Sequence, residues 1–271
     1  MRLIRRALPL GLLFVAGSLA AHDMFIKLDR YHVPPNTAFR APLINGTFSK
    51  SENAIATERV ADVSLVSPAG RVRLDLATVS GRNDTTWLAL RTAGPGTYVV
   101  GFSTKPTQFR LSGTEFAGYL EDEGLADVLA QRRQAGSMAD SAGERYSKHV
   151  KAIFQVGDQL TETAQATLGY PAEIVPLDNP YAIKPGGTLR IRCLARGVPV
   201  ANVAVLSGGR SPQGARLPQR TVRSDANGVG TVSLDQPGKY YVKFISMVRV
   251  TDPVVDYESL WATLTFEVAG R

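Results

Sequence analysis

One motif occurs twice in this chain, and it limits the fold to a narrow set. Pro95–Phe102 reads PGTYVVGF and Pro237–Phe244 reads PGKYYVKF, an offset of 142 residues. A Pro-Gly turn leading into aromatic and β-branched residues marks a strand entered through a tight turn. A second pair lies ahead of these. Tyr31-His32-Val33-Pro34-Pro35 leads to Phe39-Arg40, and Tyr181-Ala182-Ile183-Lys184-Pro185 leads to Leu189-Arg190, an offset of 150. Two similar offsets predict a module present twice, with small insertions. A single larger β-domain is the alternative.

Each copy reads as a series of short strands. The first runs through Ala38–Asn45, Val60–Val66, Arg71–Leu74, Trp87–Leu90 and Thr97–Phe102. The second runs through Thr188–Leu194, Ala201–Leu206, Gln219–Val222, Val229–Leu234, Lys239–Ile245 and Leu260–Val268. Pro68-Ala69-Gly70, Pro185-Gly186-Gly187 and Asp225-Ala226-Asn227-Gly228 punctuate them as turns. Strands at roughly ten-residue spacing predict a mostly β fold of two immunoglobulin-like β-sandwich domains. Between the copies the apolar period changes to that of a helix. Phe116, Tyr119, Leu120, Leu125, Val128 and Leu129 line one helical face, and Tyr146, His149, Val150 and Ile153 line a second. Ser112 with Glu115 and Ser141 with Glu144 have the spacing of capping boxes, and Gly136 is placed to end the first helix. The expected organisation is a signal peptide over 1–21, a first sandwich over 22–107, a helical hairpin insertion over 108–170 and a second sandwich over 171–271.

The first 21 residues have the layout of a cleavable signal peptide. Arg2, Arg5 and Arg6 form the basic region, Ala7–Gly17 the apolar region, and Ser18, Ala20 and Ala21 the small residues of a cleavage site. The apolar run is too short to span a bilayer. The product is expected in the periplasm or outside the cell, with no membrane insertion after cleavage. Of 31 Lys and Arg against 24 Asp and Glu, three positives belong to this segment, leaving an excess of about +4. No basic run carries interleaved aromatics, which argues against nucleic acid as a partner. The lone Cys193 lies in an alternating strand and reads as a buried, inert thiol.

Cleavage after Ala20 makes His22 the second residue, and cleavage after Ala21 makes it the first. Either way an imidazole and a new α-amine lie within reach of one ion, with the intervening amide nitrogen as a further donor in the first case. Such nitrogen sets suit Cu²⁺ and Ni²⁺. His22 is therefore the primary candidate metal ligand, with Met24 and Met247 as candidate thioether donors. The bland reading makes His22 the start of a strand and both methionines core filler. His32 reads as a loop histidine and His149 as a residue at the edge of the core. Asp252, Asp256 and Glu258 form an acidic cluster that reads as a solvated loop. The chain has no Gly-x-Ser-x-Gly elbow and no phosphate loop, so an enzyme is not expected.

The chain also resembles a bacterial exported family catalogued as a domain of unknown function and commonly labelled a periplasmic component of nickel or cobalt uptake. The matching residues are Ala21-His22-Asp23, Tyr119–Leu125 (YLEDEGL), Glu144–Lys148 (ERYSK), Leu168–Pro171 (LGYP), Asn179-Pro180-Tyr181, Thr221–Gly228 and Tyr257–Phe266 (YESLWATLTF). The resemblance implies a transition-metal cofactor or cargo (Ni, Co or Cu), with a membrane transporter component as partner. Relatives tend to carry His-Met after the Gly-Lys-Tyr-Tyr-type strand. Here the pair is Ser246-Met247, and a serine hydroxyl is a poor substitute for imidazole on such ions. The competing expectation is a metal-free interaction module that binds an envelope protein or glycan.

Overall fold

The computed structural model describes residues 22–270, so the expected signal peptide lies outside the described residues. The fold is mostly β: among the described residues, nineteen strands form three sheets, with two α-helices. The largest sheet has ten strands. Its main order is Arg216–Arg223, Ala204–Arg210, Gly238–Arg249, Tyr257–Val268, Ala142–Val156, Gly96–Thr104, Val60–Ser67 and Gly70–Arg73. The short strands Thr107–Leu111 and His32–Val33 also pair with Ala142–Val156. A five-stranded sheet holds Asp23–Ile26, Ala38–Thr47, Thr85–Arg91 and Val79–Arg82, with Lys50–Ser51 beside Ala38–Thr47. A four-stranded sheet holds Ala172–Pro176, Gly187–Ala195, Val198–Pro199 and Val229–Leu234.

The two smaller sheets lie on opposite faces of the large one. Along Gly96–Thr104, Tyr98, Val100 and Phe102 pack with Met24, Ile26, Leu43 and Leu88, whereas Val99 packs with Ile174, Ile191 and Val232. Successive side chains of a strand point to opposite faces, so one strand serves two cores. The central strand, Ala142–Val156, does the same. It sends Val150, Ala152, Phe154 and Val156 to the first core and Ile153 to the second. It runs parallel to Tyr257–Val268 on one side and antiparallel to Gly96–Thr104 on the other. The two sequence halves are thereby joined through one continuous sheet.

The central strand corrects the expected second helix. Residues 141–153 form no helix, and Ser141-x-x-Glu144 caps nothing. A strand covered on both faces does not alternate between apolar and polar residues, and its apolar positions here happened to fall at helical spacing. Among the described residues, α-helix is confined to α1 (Gly113–Asp122) and α2 (Ala126–Gln134), beside four single turns of 3-10 helix. The Ser112–Glu115 capping box is present at the start of α1. Gly124 and Gly136, at φ 70° and 67°, follow the two helices.

The repeated motifs occupy matching places. Tyr98 donates from its hydroxyl to the Gly94 carbonyl at 2.8 Å, and Tyr240 to the Gln236 carbonyl at 2.7 Å. Each Pro-Gly glycine permits a close approach: a Cβ on Gly238 would lie 2.5 Å from the Arg210 carbonyl oxygen, and one on Gly96 2.3 Å from Pro68 Cγ. The earlier motif pair docks on the central strand. The Tyr31 carbonyl accepts from the Gln155 amide at 2.8 Å, and the Tyr181 hydroxyl donates to the Ile153 carbonyl at 2.6 Å.

Candidate functional site

The first strand, Asp23–Ile26, pairs antiparallel with Ala38–Thr47, setting Met24 opposite Asn45 and Asp23 opposite Gly46. Three side chains of the large sheet fasten its backbone. Thr263 donates to the Met24 carbonyl at 2.7 Å, Thr265 to that of Ile26, and the Lys148 ammonium to that of His22. His22 is thus fixed at the start of the described chain. Its Nε2 lies 3.3 Å from Glu52 Oε2, with 31% and 42% of the two side chains exposed. Gly46 permits this pairing. A Cβ there would meet the Lys50 carbonyl oxygen at 2.5 Å and Glu52 Cγ at 3.2 Å, so a larger residue would push the Glu52 segment away.

His22 and Glu52 stand where two clefts meet. One, about 720 Å³, is lined by Met24, Asn45, Arg59, Phe109, Tyr146 and Lys148 among others. The other, about 360 Å³, is lined by Asp23, Phe25, Glu123, Arg216 and Tyr241 among others. Behind them is a charged group shared by several elements. Lys243 Nζ lies 2.7 Å from Asp23 Oδ2 and 3.1 Å from Glu123 Oε2. Burial opposes its charge, but the two carboxylates outweigh this and hold the ammonium above the ordinary lysine range. Among the described residues Lys148 has no such contact. Burial pushes its amine down to about 8, against the pull of Asp23 and Glu123. Its Nζ lies 5.5 Å from the centroid of the Tyr146 ring and 5.2 Å from that of Trp261.

The three expected metal-site residues are divided. His22 and Met24 line the 720 Å³ cleft together, although Met24 is 2% exposed and packed into the first core. Met247 packs beside the cluster of Phe116, Tyr257 and Trp261, and with Ser246 lines a different cavity of about 260 Å³. Among the described residues, no three His, Cys, Asp or Glu side chains converge as a metal-binding group.

The other candidates have structural partners. His149 is buried with Nδ1 2.8 Å from the Ser103 hydroxyl and Nε2 2.9 Å from that of Ser147. Burial pushes its pKa down to about 3, so the ring is neutral. His32 lies in a short strand, edge-on to Tyr181. Cys193 is buried and its thiol is pushed up to about 12 by burial. The acidic trio is dispersed into ion pairs: Asp252 with Arg145, Asp256 with Arg110 and Glu258 with Arg196. Sequence reasoning missed Glu52, Arg59, Lys148 and Lys243. Lys243 carried a signal, since it interrupts the apolar run Tyr240–Ile245 that becomes a buried strand.

The sequence profile of the family described as Domain of unknown function (DUF4198) matches residues 19–247. No curated protein matches the chain. Among solved structures, trypsin-activated alpha-2-macroglobulin from Escherichia coli is 10% identical with a TM-score of 0.22, over 92% of this chain and 16% of that one. The tetra-tandem repeat in the extending region of a large adhesion protein is 10% identical with a TM-score of 0.23, over 92% of this chain and 50% of that one. This chain thus spans half or less of the length of either protein.

Proposed function

The chain belongs to the DUF4198 family, and from the geometry at its first strand we propose that it is an exported carrier of one transition-metal ion. His22 is the primary ligand. The observation that carries this reading is the pairing of His22 Nε2 with Glu52 Oε2 at 3.3 Å, both half-open to solvent where two clefts meet. One imidazole and one carboxylate fit the borderline ions Ni²⁺, Co²⁺ and Cu²⁺. The thioethers do not fit, since Met24 is sealed in the core and Met247 lines another cavity. Signal cleavage supplies the remaining nitrogens, the α-amine and, after cleavage at Ala20, the Ala21–His22 amide. Lys148 holds the His22 carbonyl and so sets the direction of the imidazole. A role in nickel or cobalt uptake, with a transporter component as partner, belongs to the same proposal.

We read the two halves as immunoglobulin-like modules fused through one sheet, with α1 and α2 as a helical hairpin between them. The repeated hydroxyl-to-backbone contact of Tyr98 and Tyr240 supports that reading.

Calorimetric titration of the mature protein with each ion tests the metal assignment. One-to-one binding is expected, weakened by about a hundredfold in His22→Ala and about tenfold in Glu52→Gln. Unchanged binding in His22→Ala refutes it. The lack of a converging trio among the described residues favours a second reading, an interaction module without metal. That reading predicts no one-to-one ion binding at all and capture of an envelope protein or glycan.

A further inference from the structure

The 720 Å³ cleft beside His22 has a size typical of small-molecule sites, which run about 300–1,000 Å³. Its charge is unbalanced. Lys148 is 5% exposed, and its hydrogen bond goes to a neutral carbonyl. The two carboxylates nearest it in effect, Asp23 and Glu123, are both engaged by Lys243. Arg59 spends one nitrogen on the Lys105 carbonyl at 3.2 Å and leaves a buried Nε without a partner among the described residues. Neither cation forms an ion pair among the described residues. Arg59 is half-buried, but an unpaired cation as buried as Lys148 is costly, and native proteins normally pair such groups or use them to hold a ligand.

The rest of the cleft is built for the body of a ligand. The Tyr146 ring has the Arg59 guanidinium 5.8 Å and the Lys148 ammonium 5.5 Å from its centroid, and Phe109 packs against it at 5.6 Å. Asn45, 6% exposed, donates to Asn53 at 2.8 Å and keeps a buried Oδ1 without a partner among the described residues. Two cations, two aromatic faces and an amide acceptor therefore line one opening.

We propose that this cleft binds a small organic anion, a carboxylate or phosphate ester carried on a ring-sized body. The anion sits between Lys148 and Arg59, and the ring lies along Tyr146 and Phe109. Asn45 Oδ1 accepts a hydroxyl or amine from the ligand. His22 and Glu52 also line this cleft and Lys148 holds the His22 carbonyl, so the anion is a neighbour of the proposed metal ion, but its own contacts are to Lys148, Arg59 and Asn45.

Titration of the mature protein by NMR with benzoate, phenyl phosphate and benzyl alcohol tests it. One of the two anions is expected to saturate a single site and to shift the Tyr146 and Phe109 signals, with benzyl alcohol at least about tenfold weaker. A preference for benzoate identifies a carboxylate ligand, and a preference for phenyl phosphate a phosphate ester. Arg59→Gln is expected to raise the Kd by about tenfold, whereas Arg220→Gln, which removes an exposed arginine paired with Asp235 outside the cleft, leaves it within about threefold. Asn53→Asp keeps the acceptor for Asn45 and adds a negative charge, so it weakens the anions and spares benzyl alcohol. Equal binding of the neutral probe, no saturable binding of either anion, or indifference to both Arg59→Gln and Asn53→Asp overturns the proposal.

Discussion

Glu144 is a carboxyl set where its charge is disfavoured. It is fully buried at the end of the central strand, accepts from the Tyr119 and Ser259 hydroxyls, and has one oxygen without a partner. Burial is the largest influence and raises its pKa from 4.5 to about 7. The sign of the consequence follows from proton counting. Below about pH 4.5 both folded and unfolded chains hold the proton. Between about 4.5 and 7 the unfolded chain releases it and the native one does not, so stability falls as pH rises. Above about 7 the full cost persists, about 3 kcal/mol at about 1.4 kcal/mol per unit. Glu144→Gln cannot ionise. Urea unfolding at about pH 4 and about pH 8 should show the variant gaining about 3 kcal/mol relative to the parent at the higher pH. Parallel pH profiles would contradict this.

At the scale of elements, the central strand decides the fold and was the least legible part of the sequence. The other long strands were readable because turns bound them. Gly96–Thr104, covered on both faces as well, emerged from its Pro-Gly turn, and Val229–Leu234 from its alternation and its Asn-Gly turn. The central strand has both faces covered, so period two vanishes, and Tyr146, His149, Val150 and Ile153 mimicked a helix. The candidate site was legible to the same extent. His22 stood out through its place after the expected signal, whereas Glu52 comes near it only because Gly46 lets a later segment close in. The strand's buried ion pair shows how it binds the four-stranded sheet. Lys151 Nζ lies 3.0 Å from Glu173 Oε2, and the same carboxylate accepts from the Leu168 and Tyr170 amides at 2.8 and 2.9 Å. Glu173→Leu leaves the ammonium without its counter-charge, with only the Ala166 carbonyl at 3.3 Å to accept from it, and removes the acceptor of both amides. The expected loss is about 3–5 kcal/mol, read as a lower urea midpoint. A loss under about 1 kcal/mol would mean that the pair does not fasten the sheets.

At the scale of the whole molecule, one ten-stranded sheet lies between two smaller ones and joins both halves of the sequence. The first strand crosses it, held by Lys148, Thr263 and Thr265. This links the chain's first described residue to the strands that unite the fold. Among the described residues no helix is long and apolar enough to cross a membrane. On this architecture His22 is a fixed feature of the surface with a carboxylate at hand, and Met247 belongs to a separate cavity. The most direct test is paramagnetic broadening in the NMR spectrum of the mature protein on adding one equivalent of Cu²⁺. The account predicts that amide signals of Asp23, Asn45 and Glu52 vanish first, while those of Ser246, Met247 and α2 persist. Broadening centred on Met247, or spread evenly over the surface, would contradict it.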